Sequence, residues 1–338
     1  MKRKLLPCAA LALVAGSLPP SGCTEPAPPV ANEAQQWLER MVEATQTLNY
    51  EGTFIYVQGP HIEAMRIVHG HGPDGERQRL FSLNGPPREV VVANNSIICR
   101  LPKQQATFAN GNATHSPFPL SIPREIGRLE SHYQFEVLGE DRIAGLNARV
   151  IAIKPRDAWR FGYRLWLDQR HAMVLRSALL DDRGQPLEQL MFTDLQVKPQ
   201  IDEAAFQSPS LPEGASPARP NEAQALPPVG ESVQDSAWRV EQLPAGFVKV
   251  LHNRFAGSAG RHPMEHLVFA DGLATISVFL EKLNGDPALL QGASQLGSMN
   301  AFGRAVDGYQ VLVVGEVPAA TVQRIAAAIQ RDSEATAK

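Results

Sequence analysis

The spacing of apolar residues predicts that the chain begins with a helix and continues as a sheet. Behind Asn32, apolar residues recur at helical spacing through 33–48, which indicates a capped amphipathic helix. From Tyr50 onward the period changes to two, and clusters of Gly, Pro and Asn separate about ten candidate strands. We therefore predict one large, curved antiparallel sheet with helices on one side. Within it, Pro102–Pro123 is predicted to be a polar connection and Arg124–Ser131 a short helix.

Several of these strands are apolar on both faces. In the run FIYV at 54–57, Phe54 and Tyr56 point one way, Ile55 and Val57 point the other way, and none is charged. A sheet with one face in water alternates apolar and polar residues instead. Either both faces are covered, or one face lines a cavity that accepts an apolar guest.

A Pro-rich stretch at 208–235 divides the chain. It has no periodic apolar face, so it cannot bury enough surface to offset its ordering entropy. We interpret 1–23 as a signal peptide, 32–207 as a first module, 208–235 as a linker and 236–332 as a second module. The second module carries Asp271-Gly272 and Asp307-Gly308 hairpin signals and a helix opened by Pro318, which predicts a small α+β fold.

Composition narrows the class of protein. The 338 residues are 43% hydrophobic and 20% charged, as in ordinary globular proteins, and a net charge of −3 gives no reason to expect nucleic acid. Basic residues at 1–4 precede an apolar run, Leu5–Leu18, that is too short to span a bilayer. This pattern is typical of an export signal and predicts a periplasmic protein.

The sequence around Cys23 leaves open whether the exported protein carries a lipid anchor. Ser21-Gly22-Cys23 ends like a lipoprotein processing site, yet Pro20 stands where such signals usually carry Leu. Lipidation of Cys23 and ordinary cleavage nearby both fit the sequence. After removal of a signal peptide, at most Cys23 and Cys99 remain, so a framework of several disulfides is excluded.

One motif suggests metal chemistry. His262-Pro263-Met264-Glu265-His266 matches the H-x-x-E-H pattern of a zinc protease, which requires a helix. Pro263 and the following hairpin signal favour a strand, in which the two histidines lie about 13 Å apart, too far to share a zinc ion. We therefore predict no metal, no cofactor and no catalytic residues, and keep a zinc protease only as a third hypothesis.

Several strings of residues resemble the RseB/MucB family, and together they extend over both modules. In the first module they are NYEGTFIY at 49–56, RLFSLNG at 79–85 with REV at 88–90, and GYRLWLD at 162–168. In the second module they are LPAGF at 243–247, DGL at 271–273 with SVF at 277–279, and VGEVP at 314–318. The lipobox-like Cys23 and the apolar Val92-Ala93 depart from what is expected of the family.

The resemblance implies a periplasmic negative regulator of an envelope-stress sigma factor. Family members bind the periplasmic part of an RseA/MucA-type anti-sigma factor, shield it from proteolysis, and are thought to release it when lipid or lipopolysaccharide binds. The first module would be a half-open β-barrel like that of lipoprotein carriers. A periplasmic lipid or lipoprotein carrier, for which the first module alone would suffice, is the alternative function, and a homo-oligomer stays compatible with the sequence.

Candidate site residues follow from this expectation. An apolar lipid or peptide cavity is predicted to be lined by Phe54, Tyr56, Ile67, Phe81 and Trp166. An anionic head group is predicted to meet Arg66, Arg79 or Arg164, because guanidinium groups pair well with phosphate. Packing in an ordinary core is the competing interpretation for each aromatic residue.

Overall fold

The structure is a computed structural model that describes residues 32–72, 75–93, 96–101, 104–109, 122–207, 230–233, 236–257, 263–283 and 290–331. The predicted signal peptide, Cys23 and most of the predicted linker lie outside the described residues. Among the residues that are described, no helix is long and apolar enough to cross a membrane.

The predicted first helix is present. Helix α1 spans Glu33–Thr47, and the Asn32 side chain accepts a hydrogen bond from the Ala34 amide at 2.7 Å, which satisfies one of the free amides of the first turn. One face is buried, with Leu38 and Met41 at its centre. At Leu48 the backbone becomes extended, and the chain enters the sheet directly.

The first sheet is antiparallel throughout and consists of two meanders. Its strands are β1 (Asn49–Gln58), β2 (His61–Gly72), β3 (Gly75–Ser82), β4 (Glu89–Ala93), β5 (Ser96–Leu101), β6 (Gln104–Ala109), β7 (Tyr133–Ile143), β8 (Leu146–Pro155), β9 (Gly162–Asp168), β10 (Val174–Leu180) and β11 (Pro186–Lys198). Pairing of β1 with β11 joins the meanders, so that β6 and β7 are the two edges among the described strands.

The predictions for 102–131 need correction. Strand β6 lies inside Pro102–Pro123, where we predicted only a polar connection. The sequence did not indicate this strand because its apolar alternation is brief and prolines follow it. The expected short helix is a 3-10 helix over Ile126–Ser131. A four-residue helix, α2 (Glu203–Phe206), ends the first module and contacts β3.

Apolar clusters form on both faces of the first sheet. Helix α1 and the 3-10 helix cover one face, where they bury residues such as Leu165 and Leu167 of β9 and Phe54 of β1. Trp166, between the two leucines, points to the opposite face and packs in a separate cluster with Val150. The two-faced apolar pattern of the sequence therefore corresponds to two packed layers.

The second module contains a second antiparallel sheet with one helix. Its strands are β12 (Glu231–Ser232), β13 (Trp238–Val240), β14 (Val248–Phe255), β15 (Met264–Ala270), β16 (Thr275–Lys282), β17 (Gly292–Leu296), β18 (Met299–Val306), β19 (Tyr309–Gly315) and β20 (Ile329–Arg331), and its helix is α3 (Ala319–Ala328). The main sheet has the order β12-β14-β15-β16-β19-β18-β17.

Both hairpin signals of the second module are confirmed. Asp307 and Gly308 have φ angles of 48° and 78°, as a two-residue turn between β18 and β19 requires. The helix after Pro318 is expected from the sequence to reach about Arg331, but α3 stops at Ala328, and β20 then pairs with β13 in a small additional sheet. The α+β fold class is confirmed for both modules.

Two isoleucines of β2 provide a matched test of this layering. Ile67 is 0% exposed beneath α1, whereas Ile62 is 62% exposed. We expect Ile67→Ala to lower the free energy of unfolding by about 2–5 kcal/mol, because it removes buried methyl groups and leaves a cavity. Ile62→Ala should change it by less than about 0.5 kcal/mol. Urea denaturation followed by circular dichroism measures both, and equal losses would contradict the packing described here.

Candidate functional site

A buried ion pair connects the two modules. The Arg160 guanidinium, in the bend after β8, lies 2.8 Å from Asp271 Oδ2, and both side chains are 0% exposed. Tyr133 donates its hydroxyl to the same carboxylate oxygen at 2.9 Å. Arg160 also donates to the Ala245 carbonyl at 2.6 Å and lies over the Phe247 ring. Because a buried charge without partners costs several kcal/mol, docking geometries that leave Arg160 or Asp271 buried and unpaired are excluded.

Asp271 is held by the turn that follows β15. Its second carboxylate oxygen accepts the amides of Leu273 and Ala274 at 2.9 and 2.7 Å, so the hairpin itself orients the carboxylate toward Arg160. Burial, and then the charge of Asp271, raises the pKa of Tyr133, so that its hydroxyl stays a neutral donor. The hairpin predicted from Asp-Gly therefore also supplies the counterion of the first module.

Three glycines permit close approach of the modules. A Cβ on Gly246 would lie 2.3 Å from the His132 ring, and one on Gly272 would lie 2.9 Å from Leu129. At Gly297, whose φ is 60°, a Cβ would lie 2.5 Å from the Gln58 side chain. Each glycine is in a turn of the second module and faces a residue of the first, so a larger residue would separate the two surfaces.

Helix α3 and the β17–β18 hairpin make further contacts with the first module. The Thr321 hydroxyl donates to the Trp159 carbonyl at 2.9 Å, and Arg324 lies over the Trp159 ring. In the hairpin turn, the buried Ser298 hydroxyl contacts two carboxyl groups: Glu188 of β11, and Glu316, which follows β19, at 2.7 Å. The β15–β16 turn, the β17–β18 turn and the start of α3 lie at the same end of the strands, and the second module meets the first through that end.

A cavity of about 910 Å³ lies beside these contacts. Arg164, Leu180 and Leu187 line it from the first module, and Asn300 and Pro318 line it from the second. Its wall combines apolar side chains with charged groups of both signs, among them the guanidinium of Arg164 and the carboxyl groups of Asp157, Asp181 and Asp182, which is the chemistry of a site for an amphipathic guest.

The structure does not bring the five predicted cavity residues together. Phe54 and Ile67 are buried in the cluster beneath α1, and Tyr56 packs against that cluster. Phe81 and Trp166 alternate to the opposite face, where Arg79 lies over the Phe81 ring and Arg176 over the Trp166 ring. Core packing accounts for Phe54, Ile67 and Trp166 as the structure places them.

The three predicted arginines differ in their partners. Arg66 pairs with Glu51 at 3.0 Å, and Arg79 pairs with Glu89 at 2.6 Å. Arg164 makes no ion pair with any described residue, and its buried Nε has no hydrogen-bond partner in that part of the chain. Of the three, Arg164 therefore has the guanidinium best placed to meet an added anion.

The zinc-protease motif does not form a helix. Glu265 and His266 lie in strand β15 and so point to opposite faces, while His262 is outside the described residues. Burial would raise the pKa of the Glu265 carboxyl, but hydrogen bonds from Arg254 and His252 hold it below its ordinary range. The described residues contain no group of three potential metal ligands.

Comparison with known proteins identifies the family. The model of the MucB/RseB N-terminal domain matches residues 33–210, and that of the MucB/RseB C-terminal domain matches residues 232–330. The chain belongs to the MucB/RseB family. It is therefore a member of a family of regulatory proteins and is not an enzyme, as the sequence predicted.

Similar proteins match along nearly the whole chain. The sigma factor AlgU regulatory protein MucB of Pseudomonas aeruginosa is 32% identical over 96% of this chain and 98% of its own length. The sigma-E factor regulatory protein RseB of Escherichia coli K12 is 30% identical over 94% of this chain and 95% of its own.

Solved structures match both modules as well. A chain from the complex of Pseudomonas aeruginosa MucA and MucB superimposes with a TM-score of 0.71 and 32% identity, covering 89% of this chain and all of that one. A chain from the structure of MucB in complex with MucA(peri) gives a TM-score of 0.68 at 30% identity, again over 89% and 100%.

Sequence reasoning missed the residues that join the modules. Arg160, Glu188 and Ser298 belong to none of the motifs that we singled out. Asp271 and Glu316 do lie in strings that resemble the family, yet the strings gave them no role. The nearest signal was the Asp271-Gly272 turn, which predicts a hairpin but not the residue that its carboxylate meets.

Two arginines test the energetic weight of the buried pair. We expect Arg160→Met to lower the free energy of unfolding by about 3–5 kcal/mol, because Asp271 would keep a buried charge without a counterion. Arg128→Met removes an arginine that is 81% exposed beside Glu125 and should cost at most about 0.5 kcal/mol. Urea denaturation near neutral pH compares the two variants, and a small loss for Arg160→Met would show that the pair is not a major constraint.

Proposed function

We propose that this chain is a periplasmic negative regulator of an envelope-stress sigma factor. It binds the periplasmic part of an RseA/MucA-type anti-sigma factor and shields that segment from proteolysis. The observation that carries the proposal is the agreement, over both modules, with MucB chains whose structures were determined in complexes with MucA. Relatives named as sigma factor regulatory proteins, matched over more than nine-tenths of this chain, support it.

The contact between the two modules suits a protein that holds a partner segment between them. Their contact is fixed by the Arg160–Asp271 pair, and a cavity with lining residues from both modules lies next to it. A partner segment that touched both walls of the cavity would bind only to the docked arrangement, which couples partner binding to the contact between modules. The predicted linker at 208–235 would then let the two walls adjust without separating.

Lipid or lipopolysaccharide is proposed to act as the releasing signal. Arg164 lines the cavity without a carboxylate partner among the described residues, and Leu180 and Leu187 provide apolar surface beside it. A lipid whose phosphate bound the Arg164 guanidinium and whose acyl chain packed against the two leucines would fit this combination. A lipid in the cavity would compete with a protein segment for the same walls.

A lipid or lipoprotein carrier remains the alternative function. Such a carrier requires only the first module. Here Arg160 of the first module is buried against the second module, which supplies the buried counterion Asp271 in addition to the partly exposed Asp157. This dependence favours a function in which both modules take part.

A binding experiment tests the main proposal. We expect the mature protein to retain the periplasmic part of its cognate anti-sigma factor on a pull-down resin and to protect it from proteolysis in a periplasmic extract of the same organism. Adding purified lipopolysaccharide should release the partner and restore cleavage. Failure to bind the partner in the absence of lipid would refute the proposal, and binding that is insensitive to lipopolysaccharide would remove the lipid signal alone.

Substitutions of two arginines test where lipopolysaccharide binds. We expect Arg164→Ala to raise the lipopolysaccharide concentration needed for half-release by roughly tenfold, since a charge-assisted hydrogen bond contributes about 1.5–3 kcal/mol. Arg66→Ala is the matched control, because its guanidinium already pairs with Glu51. Titration of the pull-down with lipopolysaccharide gives both midpoints, and equal midpoints would place the anionic group elsewhere.

A further inference from the structure

A pair of carboxyl groups faces the same hydroxyl where the second module meets the first. Glu188 of β11 and Glu316, after β19, are the two members of this carboxyl pair, and the buried Ser298 hydroxyl contacts an oxygen of each. Tyr56 and Gln58 donate to Glu188 from β1. Tyr163 of β9 faces Glu316.

If both carboxyl groups were ionised, one of the two contacts of the Ser298 hydroxyl could not be a hydrogen bond. A serine hydroxyl has a single hydrogen and can donate to only one acceptor at a time. If Ser298 donates to Glu188, its contact with Glu316 is a hydrogen bond only when Glu316 is the donor, and therefore protonated. Glu188 already accepts hydrogen bonds from Tyr56 and Gln58, so we take Ser298 as its third donor and Glu316 as the donor to Ser298. The arrangement thus carries one negative charge over two carboxyl groups.

We propose that this carboxyl pair is a pH-dependent latch between the two modules. With one proton, it forms a continuous chain of hydrogen bonds from Glu316 through Ser298 to Glu188, and so across the module contact. When the proton leaves Glu316 for solvent water, the pair carries two negative charges on one shared hydroxyl. One hydrogen bond is then lost and the carboxylates repel each other, which loosens the hairpin turn from β1 and β11.

Nothing described nearby neutralises a second charge. Tyr56 and Tyr163 face the pair, and burial together with neighbouring carboxylates raises the pKa of each, so both stay neutral. Glu63 of β2 adds negative potential at Tyr56, although Arg88 pairs with it. Among the described residues no lysine, arginine or histidine forms an ion pair with either Glu188 or Glu316. Asp271, which acts on Tyr163, is already paired with Arg160.

The direction of the pH effect follows from proton binding. Burial raises the pKa of Glu316 above its ordinary value of 4.5, and the charge of Glu188 raises it further, whereas the hydrogen bonds that Ser298 and Tyr163 could donate to the ionised carboxylate oppose the rise. The docked arrangement therefore binds a proton more tightly than an arrangement in which Glu316 is solvated. Raising the pH from the ordinary glutamate range through the elevated pKa of Glu316 favours the open arrangement, and lowering it favours the docked one.

Replacing the protonated member by its neutral isostere tests the latch. Glu316→Gln keeps a donor toward Ser298 at every pH. Small-angle X-ray scattering of the mature protein between pH 5 and 8.5 should show the wild-type radius of gyration, about 20 Å for a compact chain of this length, rising by roughly a tenth with pH. The Glu316→Gln protein should stay compact over the whole range. A wild-type radius independent of pH, or a pH course in Glu316→Gln that equals the wild type, overturns the proposal.

The second carboxyl group provides the opposite variant. Glu188→Gln leaves one carbonyl oxygen for the three donors Tyr56, Gln58 and Ser298, and adds an amide without an acceptor. We expect this variant to be expanded already at pH 5, with far-ultraviolet circular dichroism confirming that its sheets are intact. Glu130→Gln, on the exposed end of the 3-10 helix, should follow the wild-type course. If Glu188→Gln were compact at all pH values, Glu188 and not Glu316 would hold the proton, which would overturn the proposal.

Discussion

The burial of Arg160 is the constraint on which the rest of the structure depends. A guanidinium that is completely withdrawn from water must have its counterion and acceptors in place, and here these are Asp271, the Ala245 carbonyl and Asp157. Because the first two belong to the second module, Arg160 is buried with its partners in place only when the modules are in contact. Apolar contact alone would not select one docking geometry so narrowly.

The other features of the contact are consistent with this anchor. Glycines at three turns allow the backbones to come close, and Thr321 satisfies a carbonyl in the same bend that holds Arg160. In the turn between β17 and β18, Ser298 and its two carboxyl groups form a contact of different character, rich in hydrogen bonds and short of positive charge. One contact is thus fixed by an ion pair and the other is proposed to depend on a proton, and the cavity lies beside them.

Local pattern in the sequence predicted the fold well and the site poorly. Helix α1, most strands of both sheets and the two Asp-Gly hairpins follow from periodicity and turn chemistry, which are properties of adjacent residues. Strand β6 and the β13–β20 pair were missed because short strands gain their stability from partners distant in sequence. The same reason explains the site: Arg160 and Asp271 are 111 positions apart, and nothing local to either residue indicates the other. The two-faced strands were recognised correctly, yet only the structure separates residues that share a core from those that line a cavity.

The separation of Arg160 from Asp271 along the chain has a consequence for biogenesis. Translation and export proceed from the amino terminus, so the first module is complete before the strand that precedes Asp271 has emerged. During that interval its bend at residues 156–160 has a guanidinium that its own module neutralises only through the partly exposed Asp157. The guanidinium stays hydrated at that stage and is buried only when the hairpin that carries Asp271 covers it. Burial of Arg160 is therefore a late event in the assembly of this protein, after the second module has formed its hairpin.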